Sequence, residues 1–82
     1  MNAPLLNQDD LAEARKEAWR LLQSTVHYCR CAQMHLQSAD DPVAIWDITA
    51  ARDYFKSAWE TFEPVRAAMR QRVTPPEREP KQ

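Results

Sequence analysis

A stripe of apolar residues, spaced alternately four and three apart, runs through the second half of this 82-residue chain. Small members alternate with large ones in the order Ala44, Ile48, Ala51, Phe55, Ala58, Phe62, Val65 and Met69. This spacing keeps the whole stripe on one side of an α-helix. Because small residues let a second helix approach and large ones fill the space between helices, the stripe predicts an α-helical protein whose helices pack against each other.

The composition agrees with an all-α fold and removes several functional classes. The chain has no glycine, which excludes phosphate-binding loops and dinucleotide fingerprints and disfavours tight β-hairpins. Its 11 basic and 12 acidic side chains give a formal charge of −1, so no positive excess exists to attract nucleic acid. The charge balance therefore disfavours nucleic acid as a partner.

The first helix is predicted from about Asp9 to about Gln37. Acidic residues stand at its start, where the helix dipole favours negative charge, and Asp10 with Glu13 has the spacing of a capping box. Its apolar face comprises Leu11, Ala14, Ala18, Leu21, Leu22, Thr25, Cys29, Ala32 and Leu36. A break then follows over residues 38–42, where Pro42 suits the first position of a new helix and Asp41 its cap.

The second helix is predicted from Pro42 to about Arg72. Pro64 lies inside it and removes one backbone hydrogen bond, yet the apolar stripe continues in phase beyond this residue. We therefore expect one helix that is kinked at Pro64 but continuous. The alternative is a break, with a short third helix starting at Pro64.

Two helices of similar length joined by a short loop predict an antiparallel hairpin. Its domain spans residues 9–73, between an N-terminal extension at 1–8 and a polar, proline-rich, disordered tail at 74–82. The predicted hairpin core consists of Leu22, Cys29, Ile48, Ala51, Phe55, Ala58, Phe62 and Met69. The start resembles no signal peptide and no apolar run is long enough to cross a membrane, so we expect a cytoplasmic protein without membrane contact.

Aromatic residues exceed what one seam between two helices can bury. The residues predicted to lie outside the seam, at a dimer or partner interface, are Trp19, Val26, Tyr28, Trp46 and Trp59. Two hairpins that pair through these residues would form a homodimeric four-helix bundle, and docking onto another protein would cover them equally well. The alternative is that the aromatic rings lie flat over their own hairpin.

His27, Cys31 and His35 form the one cluster with metal-ligand chemistry. Residues four apart on a helix are neighbours, but His27 and His35 are two turns apart and do not easily reach one ion. The two cysteines, Cys29 and Cys31, point to nearly opposite sides of a helix and cannot form a disulfide with each other. We therefore expect no metal and no cofactor, and without a cleft around Cys31 we expect no enzymatic activity.

The pattern as a whole predicts a non-enzymatic protein-binding module, such as an inhibitor, adaptor, chaperone or regulatory subunit. Trp46 is the first expected hot spot, because its direction on the helix leaves it outside the seam. One alternative is a nucleic-acid-associated regulator that uses the basic end formed by Arg66, Arg70 and Arg72. A second alternative is a metal- or redox-responsive bundle built on the His27 cluster.

Overall fold

The computed structural model describes residues 8–72, which form three helices with no strand among them: α1 (Gln8–Gln37), α2 (Asp41–Thr61) and α3 (Glu63–Arg72). The prediction of an all-α fold is confirmed, and α1 packs closely against α2. Residues 1–7 and 73–82 lie outside the described residues, and with them most of the predicted extension and the whole predicted tail.

The turn between α1 and α2 closes with a left-handed residue. Ala39 has φ 59°, the amide of Asp40 donates to the carbonyl of His35 at 2.7 Å, and the amide of Ala39 donates to the carbonyl of Leu36 at 3.0 Å. These two bonds make a Schellman motif, which satisfies carbonyls that the end of α1 would otherwise leave unpaired. The turn is therefore tight enough to return α2 along α1.

The start of α2 lies one residue before the predicted start. Asp40, rather than Asp41, is the N-cap residue, and its carbonyl accepts the amide of Ala44 at 3.0 Å. The side chain of Asp40 makes no capping hydrogen bond. Pro42 is therefore the second residue of α2 rather than the first, and it still lies in the first turn, where no backbone donor is needed.

The predicted second helix is divided at Phe62 into α2 and α3, which corrects the expectation of one kinked helix. The amide of Phe62 donates to the carbonyl of Ala58, and its carbonyl accepts the amides of Val65 and Arg66 at 3.0 and 3.1 Å. Phe62 thus ends one helix and opens the next. Pro64 lies in the first turn of α3, where its missing N–H costs nothing, so the break precedes the proline by two residues.

The seam between the helices is built from small residues and two polar pairs. Its buried members are Ala14, Ala18 and Ala32 of α1, Ala44, Ala51 and Ala58 of α2, with Leu11 and Val65 at the far end. Between the alanines, Nδ1 of His35 lies 2.6 Å from Oδ2 of the buried Asp47, and the rings of Tyr28 and Tyr54 stack 5.6 Å apart. Contacts that lie further from the turn join residues more distant in sequence, so α1 and α2 run antiparallel.

The small residues of the predicted stripe are buried, and most of its large residues are not. Ala51 and Ala58 of the predicted core lie in the seam, and Phe62 is partly buried against Leu11, Ala14 and Val65. The others differ from the prediction: Leu22, Cys29, Ile48, Phe55 and Met69 are exposed in the single chain. The polar pairs occupy the seam positions of α2 between the alanines, and this turns the large residues to its edge.

Candidate functional site

One face of the hairpin carries an apolar groove of about 290 Å³ between α1 and α2. Its lining consists of Arg15, Ala18, Trp19, Leu22, Phe55, Ala58, Trp59 and Phe62. We call this the aromatic groove. Trp19 and Leu22 form the wall on α1, and Phe55 and Trp59 form the wall on α2.

Helix periodicity explains how the groove forms. Ala18 and Ala58 are buried in the seam, and because alanine has only a methyl side chain, they make a low floor. Trp19 and Leu22 follow Ala18 by one and four residues, while Phe55 and Trp59 lie three before and one after Ala58, so both pairs project to the same side. The side chains of both walls therefore project above the low floor and remain exposed to solvent.

The exposure of the walls is high for side chains of this size. Trp19 is 62% exposed, Phe55 55% and Trp59 54%. Single exposed apolar residues are common on protein surfaces, but here four of them line one concavity. A second depression of about 400 Å³ adjoins the groove along α1, shares Trp19 and Leu22 with it, and includes Val26 and Arg30.

Trp59 is held in place from α3. The guanidinium of Arg66 lies over the Trp59 ring at 3.8 Å from its centroid, and Nη2 of Arg66 donates to the Trp59 carbonyl at 3.3 Å. Nη2 of Arg66 also lies 2.6 Å from Oε1 of Glu63. This cation–π contact fixes one indole of the groove against the junction between α2 and α3.

Glu63 also pairs with the next turn of α3. Nη2 of Arg70 donates to Oε2 of Glu63 at 2.7 Å, and this hydrogen bond, with the charges of Arg66 and Arg70, lowers the pKa of Glu63. Two of the arginines predicted to contact nucleic acid therefore share one carboxylate within the chain. The side chain of the third, Arg72, lies outside the described residues.

The structure separates the predicted metal cluster. Sγ of Cys31 lies 3.6 Å from Nε2 of His27 on the outer surface of α1, whereas His35 turns inward to Asp47. Both cysteines are free. Within the described residues no group of three or more His, Cys, Asp or Glu side chains is arranged to hold an ion.

The predicted interface residues fall into different surroundings. Trp19 and Trp59 face each other across the aromatic groove, and Val26 lies in the adjoining depression. Tyr28 instead stacks on Tyr54 within the chain, with interplanar angle 9°. Trp46 is 77% exposed and does not line the groove, so the structure does not unite it with the other two indoles.

Sequence reasoning missed three groove residues. Leu22 and Phe55 were predicted as core, and Arg15 was not singled out. Their spacing from the tryptophans carried the information, because Leu22 is three residues after Trp19, and Phe55 and Arg15 are each four residues before a tryptophan.

Comparison with known proteins identifies no relative of this chain. No family model, no curated protein and no solved structure matches the chain. Among the described helices, none has the length and apolar character needed to cross a membrane.

Proposed function

We propose that the chain is a non-enzymatic protein-binding module, such as an inhibitor, adaptor, chaperone or regulatory subunit, that acts by burying its aromatic groove against a partner. The observation that carries the proposal is the meeting of Trp19, Phe55 and Trp59 around a floor of alanines. Tryptophan is among the residues that contribute most to binding energy in protein interfaces. An apolar concavity rimmed by polar surface is the form that such interfaces take.

The walls supply the driving force for docking. A large aromatic side chain buries about 150–250 Å² when fully covered, and each square ångström of apolar area contributes about 25 cal/mol. More than half of the surface of Trp19, Phe55 and Trp59 is still available for this burial. Trp59 is already fixed by Arg66, so ordering it on binding costs less conformational entropy than ordering a free side chain.

Self-association is one way to cover the groove. Two hairpins stacked groove to groove would make a homodimeric four-helix bundle, the arrangement expected from the sequence. Such a dimer would hide Trp19 and Trp59 from solvent and leave Trp46 outside. Sedimentation over a range of concentrations tests it, because the dimer must dissociate on dilution.

The proposal is tested with three tryptophan variants of one chain. Trp19→Ala and Trp59→Ala should each weaken partner binding or dimerisation by about 2 kcal/mol, roughly 30-fold, as truncation of a hot spot does. Trp46→Ala removes an indole of the same size outside the groove and should change affinity little. Circular dichroism of all three verifies that the helices are retained.

The readout is the set of proteins retained from an extract of the native cell by each immobilised variant, together with the mass of each variant in solution. A partner or a dimer that persists in Trp19→Ala and Trp59→Ala but is lost in Trp46→Ala would move the site away from the groove. If all three variants retain the same proteins and the same mass in solution as the unmodified chain, the proposal is wrong.

A further inference from the structure

Resting on the proposed function, we propose that the aromatic groove receives an amphipathic helix of another protein, and that acidic residues flank the apolar stripe of that helix. Three features of the surface support this occupant: the charges around the groove, their separation along α1 and the shape of the surface.

The charged residues that line the apolar surface are basic. Arg15 lines the aromatic groove and Arg30 lines the adjoining depression. Neither arginine has an ion pair with any residue in the range 8–72, whereas Arg20, on the other side of α1, pairs with Glu17. Arg15 and Arg30 therefore border an apolar surface and are both available to form ion pairs with the carboxylates of a partner.

The acidic residues of the hairpin are placed elsewhere. No aspartate or glutamate lines the aromatic groove or the depression beside it. Asp47 is buried in the seam with His35, and Asp53 pairs with Arg52 on the outer surface of α2. Glu63, four residues after Trp59, is already paired with Arg66 and Arg70. The lining of the docking face consequently offers apolar contact and positive charge, without an unpaired carboxylate.

This distribution favours a foreign partner over a second copy. A second chain would bring the same Arg15 and Arg30 to the interface and no carboxylate from its groove lining. Like charges placed opposite each other disfavour association, and complementary charges select partners. An acidic helix offers a carboxylate to both arginines, while the groove lining of a copy offers none.

The dimensions suit a helix of moderate length. Arg15 and Arg30 are fifteen residues apart on α1, which corresponds to about 22 Å, or roughly four turns of a parallel or antiparallel helix. Both helices line the groove beside residues 15–22, and the depression that continues to Arg30 is lined by α1 alone. A helix laid along this surface of α1 meets it with apolar side chains at every third or fourth position. A bilayer is flat and would reach the walls but not the buried alanines of the floor.

The direct test uses two synthetic peptides of about 18 residues, long enough to span both arginines. Both carry leucine at the first and fourth positions of each heptad. One has glutamate and the other lysine at the flanking positions, so that the apolar stripe is identical. Each is titrated into the full chain carrying Trp46→Phe, in which the fluorescence comes from Trp19 and Trp59.

The acidic peptide should shift the indole emission to shorter wavelength and bind about tenfold or more tighter than the lysine peptide, since two ion pairs replace two repulsions. Added sodium chloride should narrow this difference. In a chain with Arg15→Glu and Arg30→Glu the preference should reverse. Arg20→Glu, a matched charge change away from the groove, should leave the preference in place.

The outcomes separate this inference from the proposed function. Equal affinity for both peptides would overturn the acidic helix while keeping the groove as a docking site. A dimer that shields Trp19 and Trp59 and excludes both peptides would replace the foreign helix with a second copy. Tighter binding to phosphatidylcholine vesicles containing phosphatidylserine than to the acidic peptide would overturn it in favour of a lipid surface. A monomer that binds neither peptide, with capture unaffected by Trp19→Ala, would remove both proposals.

Discussion

Ala39 holds the turn between α1 and α2 in a backbone conformation that a methyl side chain resists. The left-handed region costs a non-glycine residue about 1–2 kcal/mol, and glycine is the usual residue at this position of a Schellman motif. The chain contains no glycine, and alanine takes that place with φ 59°. The two hydrogen bonds of the motif and the packing of the helices hold it there.

We expect Ala39→Gly to raise the free energy of unfolding by about 1 kcal/mol, because the steric cost disappears and only part of the gain is offset by the freer unfolded chain. Urea denaturation measures it. Ala12→Gly, at an exposed position inside α1, is the matched control and should lower stability by about 1 kcal/mol. If both substitutions lower stability equally, Ala39 does not hold a left-handed backbone in solution.

At the scale of elements, the seam between α1 and α2 is held by polar pairs as well as by alanines. Asp47 is 9% exposed, and its contact with His35 connects the two helices next to their turn. Burying a carboxylate is unfavourable unless a partner satisfies it. This contact therefore fixes which residues of α2 face α1.

Asp47→Ala should lower the free energy of unfolding by about 1–3 kcal/mol, since the partly buried imidazole of His35 loses its partner. Asp53→Ala is the control, because Asp53 is exposed and pairs with the adjacent Arg52, and it should change stability by less than about 0.5 kcal/mol. Equal losses in the two variants would mean that the His35 contact does not select the seam. Chemical denaturation of both variants at one pH provides the comparison.

The contact between His35 and Asp47 explains which part of the fold could not be predicted from the sequence. The two long helices, the turn and the proline in the first turn of α2 follow from periodicity and local residue preferences, whereas the break at Phe62 did not, because the apolar stripe continues in phase through it. The rotation of α2 did not, because counting apolar residues favours Ile48 and Phe55 over Asp47 and Tyr54. Tertiary pairing with His35 and Tyr28 makes the polar positions the better seam. Leu22 and Phe55 were consequently assigned to the core, whereas the other two wall residues, Trp19 and Trp59, were assigned to an interface because the excess of aromatic surface was visible in the sequence.

The molecule as a whole is too thin to enclose its large side chains. In the part of the chain that the structure describes, no large side chain is completely buried, and the seam consists mostly of alanines. A chain of this size buries a smaller fraction of its surface on folding than a larger domain does. Stability and binding therefore depend on different residues, which substitutions can separate.

Phe55→Ser should change the free energy of unfolding of the dilute chain by less than about 1 kcal/mol, because its ring is already half in solvent and has little burial to lose. Ala51→Leu, by contrast, overfills the seam and should cost about 1–3 kcal/mol. Thermal or urea unfolding at several protein concentrations distinguishes them. A loss above about 3 kcal/mol for Phe55→Ser would show that the folded chain covers this ring.

The cation–π contact of Arg66 with Trp59 makes the two walls of the groove differ in rigidity. Arg66 covers one face of the Trp59 ring, while among the described residues no aromatic or cationic group stacks on Trp19. Trp59 can thus contact a ligand in one fixed orientation, and Trp19 can change its rotamer to fit ligands of different width. Versatility in what the chain accepts would then reside in a single rotamer rather than in movement of its backbone.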